Sequence, residues 1–381
     1  MNGCDWAAAR RCAHGCARPL QPVELPAPET LGATLAAPLI AAAAMPPFDC
    51  SAMDGYAVAG DPPWRVVGVI AAGTAAVRPL GPGSAAEIAT GALIPAGTLA
   101  VLPYEKADRS GDLVTGEVTA GRHIRRIGEA ARAGADLAAA GTAVTAALLG
   151  LAASVGVDVL TVRRAARVTA LIIGDEVRSS GLPGDGQIRD AIGPLLPGLV
   201  RGLGGELLDV ARLGDTREEL QAALRNASGD VVVTCGASSV GRSDTVRAVL
   251  DAVGARLLVD GVACRPGHPQ ALALLPDGRP LVALPGNPYA AVVASVTLLG
   301  PLLAGLTGRP LPELPVADLV GSLPARPGLT RLIPVSWHGG AVRPVGSARP
   351  ASLQGAALAQ ALAVLGPNWS GGPVPLVPLP G

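Results

Sequence analysis

Between residues 166 and 308 the chain alternates short β-branched runs with helix-like segments, and this alternation limits the possible folds more than any other feature. The predicted elements, in chain order, are strand 168–173, helix 190–203, strand 206–213, helix 216–227, strand 231–234, helix 244–253, strand 281–284 and helix 289–306. Such alternation predicts a mainly parallel sheet covered by helices on both faces. Ligands of these sheets bind in the crevice at the carboxyl ends of the strands.

The rest of the chain has a different character. Residues 46–140 alternate short apolar runs with Gly and Pro turns, which predicts a small β-domain. This segment interrupts a mainly helical region, in which we expect an Ala-rich helix near 29–44 and a second helix over 143–158. The interruption predicts an inserted domain. Proline density rises from 309 onward, and the last 70 or so residues predict a C-terminal β-domain.

Composition excludes several classes of protein. The 381 residues carry 30 basic and 30 acidic side chains and only 2% aromatics, which argues against nucleic-acid binding. Charges at Asp5, Arg10 and Arg11 interrupt any secretory signal. The uncharged stretch 289–308 contains Gly and Pro and follows a predicted strand, so we expect a buried helix rather than a membrane span. The six cysteines lack Cys-x-x-Cys spacing. We therefore expect a soluble cytoplasmic protein with reduced thiols.

Residues 46–58 form the most distinctive short segment. It holds Asp49 and Asp54 among turn-forming residues, together with Phe48 and Tyr56, in a chain with few aromatics. A hairpin turn with solvated aspartates is the structural alternative. We interpret the segment as part of a functional site.

Every αβ loop of 166–308 carries a polar or Gly-rich cluster. The clusters are Gly174–Glu176, Gly184–Asp190, Gly214–Asp215, Cys235–Asp244, Arg265–Pro269 and Ala283–Pro288. The loop 235–244 leads into a helix, a geometry in which backbone N–H groups close on an anion. Carboxylates beside an anionic ligand repel it unless a divalent cation lies between them, and carboxylate and phosphate oxygens are the ligands that Mg²⁺ prefers. Asp215 and Asp244 could instead each cap a helix.

These motifs together resemble the molybdopterin molybdenumtransferase family, the enzymes related to the catalytic C-terminal part of gephyrin. The resemblance runs from Trp6 to about Leu379, and its most specific piece is the segment 51–58. The supporting pieces are Thr90–Gly91 with Pro95-x-Gly97, Gly174–Glu176, Gly186–Ile188, Gly236 with Ser239–Gly241 and Asp244, and Leu284–Pro288.

The resemblance implies an α/β multi-domain fold of four parts. These are a split elongated domain (1–45 and 141–165), an inserted β-domain (46–140), a three-layer α/β domain that binds molybdopterin (166–308) and a C-terminal β-domain (309–381). It also implies a homodimer whose active site lies between the α/β domain of one subunit and the inserted domain of the other.

The implied reaction inserts molybdate into the dithiolene of adenylylated molybdopterin, releases AMP and requires Mg²⁺. Carried over residue by residue, the catalytic side chains are Asp54, Glu176, Asp215 and Asp244. The last three of these would bind the metal. The implied substrate-binding residues are Thr90, Gly236, Ser239, Gly241, Arg265, His268, Pro285, Pro288 and Ser347.

Some positions differ from the family pattern. The usual Gly-Gly-Val-Ser of the phosphate loop is 236–239 here, with Ala and Ser in the middle, and the two lysines of a Lys-Pro-Gly-Lys-Pro segment are Arg265 and His268. An arginine still binds anions, but a histidine is charged only when the pH allows. These differences keep an alternative open, a diverged paralogue that binds a pterin or nucleotide without turnover. A molybdopterin adenylyltransferase is a third hypothesis, against which the retained inserted and C-terminal domains count.

Overall fold

The structure, a computed structural model, describes residues 3–74, 78–236, 245–321, 323 and 327–380. Its first part has two helices, α1 (Trp6–Gly15) and α2 (Ala146–Ser154). The strands of this part are β1 (Val23–Pro26), β2 (Thr34–Leu35), β3 (Leu39–Ile40), β4 (Cys50–Ser51), β5 (Gly55–Ala59), β6 (Trp64–Ile70), β7 (Ser84–Ile88), β8 (Ala100–Pro103), β9 (Asp108–Ser110), β10 (Leu113–Thr115), β11 (Ile124–Arg125), β12 (Asp136–Ala138) and β13 (Val159–Arg163).

Strands β4 to β11 form an all-β unit, with a six-stranded sheet in the order β8-β5-β7-β6-β10-β9 and a separate pairing of β4 with β11. Strand β5 is buried throughout and pairs with β7 and β8. Beside this unit, β13 lies between β1 and β2, and β12 pairs with β3. The predicted Ala-rich helix over 29–44 is wrong. Pro38 cannot donate a helical hydrogen bond, and Leu35 and Leu39 instead enter a small core from the short strands β2 and β3.

The central part of the chain forms the α/β unit. Its strands are β14 (Ala166–Ile173), β15 (Val177–Arg178), β16 (Ile188–Arg189), β17 (Gly205–Leu213), β18 (Val231–Cys235), β19 (Arg256–Asp260), β20 (Cys264–Arg265), β21 (Ala271–Leu274) and β22 (Pro280–Leu284). Its helices are α3 (Leu196–Gly202), α4 (Arg217–Asn226), α5 (Thr245–Ala252), α6 (Pro288–Ala294) and α7 (Gly300–Thr307), and one π-helical stretch, Ser295–Leu299, joins the last two.

The main sheet has the order β17-β14-β18-β22-β21-β19, with the first four strands parallel and the last two pairings antiparallel. Side chains along β14 and β18 alternate between two cores, as the period of two in a strand requires. Val231 and Val233 enter one core, and Val232 enters the other. The four predicted strands are parallel and lie between the two cores, but the sheet as a whole is mixed. Strands β19 and β21 were missed.

One described helix, Pro288–Thr307, is long and apolar enough to cross a membrane by length and composition, but 94% of its most apolar window is buried inside the protein. It is a core helix, as predicted. Helix α1 packs against it, and the Trp6 indole N–H donates to the Thr297 hydroxyl at 3.0 Å. Helix α1, although part of the segment 1–45, therefore belongs to the core of the α/β unit rather than to β1–β3.

The C-terminal part forms a second mixed sheet from β23 (Val316–Asp318), β24 (Thr330–His338), β25 (Ala341–Pro344), β26 (Ala361–Leu365) and β27 (Pro373–Pro378). Its order is β20-β24-β26-β27-β23, and β25 pairs with β24. The edge strand β20 comes from the α/β region, so the two units share backbone hydrogen bonds. A short helix, α8 (Gln354–Leu358), packs near β24. The chain is thus a multi-domain α/β protein with mixed sheets.

Candidate functional site

The strongest candidate is a cleft at the carboxyl edge of the main sheet, where β14, β18 and β22 end side by side. Its volume is 330 Å³. The residues that line it are Ile172, Ile173, Glu176, Val177, Ile188, Arg189, Asp190, Ala191, Ile192, Cys235, Gly236, Gly286, Asn287, Pro288 and Ala351. This is the crevice in which ligands of parallel sheets bind. Three predicted residues line it, namely Glu176, Gly236 and Pro288.

Gly236 follows the last residue of β18 and lines the cleft. Its φ is +97°, in a region that favours glycine, and a Cβ there would collide with the carbonyl oxygen of Ile173. Its N–H donates to the Leu284 carbonyl at 3.3 Å. The backbone of the neighbouring strands is therefore closely packed at this point. Only a glycine lets the chain leave the sheet here.

Asp190 fixes the opposite wall of the cleft. Its side chain is 2% exposed and accepts hydrogen bonds from the backbone N–H groups of Ile192 (3.0 Å) and Gly193 (2.8 Å) and from Nη2 of Arg212 (3.0 Å). No sequence pattern indicated a role for Asp190. These contacts make it the anchor of the turn that carries Arg189, Ala191 and Ile192 into the cleft.

A short flap borders the same cleft. Strands β15 and β16 pair in parallel, and they carry Val177, Ile188 and the exposed Arg189 to the rim. No sequence pattern indicated Arg189. Its Nη1 donates to the Arg178 carbonyl at 3.4 Å, and both Arg189 and Glu176 line the cleft. Spacing in sequence carries no signal of this, because the pairing of β15 with β16 brings Arg189 to the rim.

Carboxylates lie at the ends of β14 and β17. Glu176 is exposed at the cleft, and Asp215 follows β17 and is also exposed. Oδ2 of Asp215 accepts from the N–H of Asp175 at 3.4 Å, so the two strand ends are in contact. Asp215 does not line the cleft, and Thr216, not Asp215, caps α4 by accepting from Glu219 N–H at 3.3 Å.

The loop 261–270 lies at the same edge of the sheet, because Ala271 of β21 pairs with Ala283 near the end of β22. The Arg265 side chain is exposed and makes no hydrogen bond or ion pair in the described part of the chain, although its backbone pairs with Arg331 in β24. His268 is half-buried, and its Nδ1 lies 2.8 Å from the Val262 carbonyl. A carbonyl can only accept, so Nδ1 carries a proton and Nε2 remains for a ligand. Neither side chain lines the cleft.

The C-terminal unit approaches the cleft through the loop 347–351. Ala351 lines the cleft, and the Pro350 carbonyl accepts from the N–H groups of Tyr289 (2.9 Å) and Ala290 (3.3 Å) at the start of α6. The first turn of α6 is therefore already capped. Ser347 is half-buried and its Oγ accepts from Arg349 N–H at 3.2 Å. Ser347 and Pro285 lie outside the cleft lining.

The segment 46–58 lies in the all-β unit, not in the cleft. Asp54 is exposed at the turn before β5, and it accepts a 2.6 Å hydrogen bond from the backbone N–H of Thr90. Hydrogen bonds from the Thr90 backbone and then its hydroxyl lower the pKa of Asp54. Asp54 and Thr90 are thus brought together, as an ionised carboxylate beside a hydroxyl. No described residue of 46–140 lines the cleft.

The other features of this segment are structural. Asp49 pairs with Arg126 at 2.7 Å and accepts from Ile127 N–H at 2.8 Å, and these backbone and side-chain hydrogen bonds lower its pKa. Tyr56 is buried, with its ring edge-to-face against Tyr104 at 5.1 Å. Asp49 therefore ties the segment to the turn that follows β11.

Ser239, Gly241 and Asp244, all predicted site residues, lie outside the described residues. Among the residues that the structure describes, no group of three or more His, Cys, Asp or Glu side chains is close enough to hold a metal ion. The predicted metal site of Glu176, Asp215 and Asp244 accordingly stays a prediction.

Comparison with known proteins places the chain in a family. Residues 5–156 match the family described as "MoeA N-terminal region (domain I and II)", and residues 169–305 match "Probable molybdopterin binding domain". Molybdopterin molybdenumtransferase 2 of Mycobacterium tuberculosis is 35% identical over 321 residues, 78% of each chain. The chain belongs to the molybdopterin molybdenumtransferase family. The resemblance predicted from the motifs is confirmed.

Two further relatives support the same family assignment. The molybdopterin molybdenumtransferase of Haemophilus influenzae is 35% identical over 276 residues, 70% of this chain and 68% of that one. A MoeA crystal structure from Pyrococcus horikoshii has a TM-score of 0.78 and 26% identity and covers 100% of both chains. All residues that line the strand-end cleft, except Ala351, lie within the molybdopterin-binding match.

Proposed function

We propose that this protein acts in molybdenum cofactor biosynthesis and inserts molybdate into adenylylated molybdopterin. In this reaction water cleaves the pyrophosphate link, AMP leaves and the other phosphate stays on the pterin, while molybdate binds the two dithiolene sulfurs through molybdenum and loses oxygen as water. The observation that carries the proposal is the strand-end cleft at Gly236, which lies inside the matched molybdopterin-binding region. Relatives named molybdopterin molybdenumtransferase, matched over 78% and 68% of their own length, support it.

The chemistry of the cleft suits a phosphorylated ligand. Arg189 at the rim and Arg265 at the same sheet edge supply guanidinium groups, which bind phosphate with two parallel hydrogen bonds. The strand end at Gly236 leads into the predicted phosphate loop. Apolar side chains of Ile172, Val177 and Ile192 line the rest of the cleft and would exclude water from the bound pterin.

A magnesium ion fits the donor chemistry of this edge. Glu176 and Asp215 provide exposed carboxylate oxygens at adjacent strand ends, and hard oxygen ligands are the ones that Mg²⁺ prefers. We propose that these two residues, with Asp244, hold the ion. When bound, it would neutralise phosphate charge and make AMP a better leaving group.

We further propose a cytoplasmic homodimer of four-part subunits, divided as the resemblance implies. Asp54 and Thr90 are exposed on the inserted β-unit and outside the cleft of their own chain. A second subunit would bring them to the cleft of its partner. There the ionised Asp54 would approach the molybdate side of the substrate. The catalytic constellation would then be complete only in the dimer.

A non-catalytic paralogue that binds pterin or nucleotide is the second candidate. It is favoured by the histidine at one lysine position, where the Nδ1 of His268 is engaged with the Val262 carbonyl. Only one ring nitrogen then remains for an anion.

The test is AMP release from adenylylated molybdopterin, with and without molybdate and Mg²⁺. We expect release that depends on both, and its loss in Glu176→Gln. The matched control is Glu206→Gln, an exposed carboxylate at the amino edge of the same sheet. Binding of the substrate without any AMP release by the wild type would favour the paralogue, and equal release by both variants would contradict the site.

A further inference from the structure

A second cavity lies away from the cleft, between α1, the core helix and the C-terminal strand β27. Its volume is 460 Å³, within the range of small-molecule sites. Leu203, Pro301, Leu314 and Val377 give it mainly apolar walls. Three of its lining side chains are ionisable, and they are Arg10, Arg309 and Glu313. None of these residues has a place in the proposed reaction.

Arg10 is a buried cation without an opposite charge. The residue is 6% exposed, Nη1 donates to the Val296 carbonyl at 2.8 Å, and the guanidinium lies 5.0 Å from the centre of the Trp6 ring. It makes no ion pair in the described part of the chain. Burial lowers its pKa to about 10. One carbonyl and one ring therefore hold a group with five N–H donors.

Arg309 is the second cation of the cavity. It is half-buried, its Nε donates to the Thr307 hydroxyl at 3.0 Å, and its Nη2 donates to the Leu203 carbonyl at 3.3 Å. A Cβ at Gly204, where φ is +86°, would collide with this guanidinium. Burial lowers the pKa of Arg309, and it too makes no ion pair within the described ranges.

Arg10 and Arg309 line the same cavity. Arg309 binds the carbonyl of Leu203, and a Cβ at Gly300 would lie 3.0 Å from the Leu203 side chain. Gly300 is one helical turn beyond Val296, whose carbonyl holds Arg10. Removing two cations from water at one apolar cavity raises the free energy of the folded protein unless an anion pairs with them. Glu313 is exposed at the rim and pairs with neither.

We propose that this cavity binds a carboxylate ligand with a short aliphatic body. The carboxylate would accept hydrogen bonds from Arg10 and Arg309, and the aliphatic body would lie against the leucine, valine and proline side chains. The ligand neutralises buried charge that no described side chain neutralises. This inference is independent of the proposed function, because the cavity shares no residue with the strand-end cleft.

Calorimetric titration with octanoate tests the proposal, with octan-1-ol as a neutral ligand of the same length. We expect saturable binding of octanoate, and binding of octan-1-ol weaker by about tenfold or more, because charge-assisted hydrogen bonds are lost. Arg309→Gln and Arg10→Gln should each weaken octanoate binding by about tenfold. The control is Arg11→Gln, the exposed neighbour on α1, which should bind as the wild type does.

The wild-type comparison of the two ligands does not depend on the folding of any variant. Equal affinity for octanoate and octan-1-ol, or no binding of octanoate, would overturn the proposal. A chain whose C-terminal carboxylate is converted to an amide tests whether that carboxylate fills the cavity instead. Octanoate binding that appears only in the amidated chain would show that the chain's own terminus is the counter-charge, and would also overturn the proposal.

Discussion

Replacing Asp190 with alanine should lower the free energy of unfolding by about 3 to 5 kcal/mol, because a buried carboxylate with three donors is removed. The side chain is 2% exposed, so the N–H groups of Ile192 and Gly193 would lose their acceptor inside the protein. Each buried donor left without a partner costs about 1 to 3 kcal/mol. Arg212 contributes little to this loss, because its side chain is 46% exposed and can be hydrated.

Asp190→Asn separates hydrogen bonding from charge. The amide oxygen can still accept from both N–H groups, but its NH₂ group would face the guanidinium of Arg212. We expect a loss of about 1 to 2 kcal/mol, clearly less than for alanine. Asp185→Ala, an exposed carboxylate in the same loop, is the control and should change stability by less than about 0.5 kcal/mol.

Urea unfolding followed by circular dichroism measures all three variants, and the midpoints should be compared at unchanged m values. We expect the highest unfolding midpoint for the wild type and Asp185→Ala, a lower one for Asp190→Asn and the lowest for Asp190→Ala. Equal losses for the asparagine and alanine variants would refute the role of the backbone acceptor. Losses below about 0.5 kcal/mol for both would refute the anchoring of the cleft wall.

Three more predictions follow from the structure. Gly236→Ala should abolish AMP release and destabilise the protein by about 1 to 3 kcal/mol, since φ is +97° there; release at the wild-type rate would count against this site. Burial alone would raise the pKa of Asp230, but hydrogen bonds from Arg164 and Arg167 outweigh it and lower the pKa to about 2, from 3.8. A folded pKa below the unfolded one means stability that is present above pH 3.8 and lost as the pH falls through about 2. Asp230→Asn should therefore cost about 2 kcal/mol at neutral pH, and the difference from the wild type should vanish in acid; a constant difference down to pH 2 would contradict the ion pair. Asp54→Asn should reduce AMP release at least about tenfold and leave the unfolding midpoint unchanged, because the side chain is exposed and the amide oxygen can still accept from Thr90 N–H.

The α/β unit could be predicted because its strand patterns and its helix cap indicate the same fold. The β-branched runs of β14 and β18 are long, each is buried on both faces, and Thr216 caps α4 as its sequence suggested. The all-β units were recognisable as a class from their turn residues. The strands β2 and β3 could not be predicted from the sequence. Alanine favours a helix, and this local preference is overridden by the tertiary pairing of β2 with β13 and of β3 with β12.

The site was only partly predictable for a similar reason. Glu176, Gly236 and Pro288 follow strands directly, so strand order brings them to one edge. Asp190 and Arg189 act through the flap and turn, whose shape depends on contacts distant in sequence. The likeness in sequence indicated Asp54, but nothing within one chain brings it to the cleft.

The central claim is that Asp54 of one subunit serves the cleft of another. Asp54→Asn and Glu176→Gln chains, each inactive alone, should be mixed under conditions that exchange subunits. In a mixed dimer one site would contain both wild-type residues, so the account predicts that AMP release returns when the two variants are combined. If verified mixed dimers release no more AMP than either variant alone, the claim is contradicted.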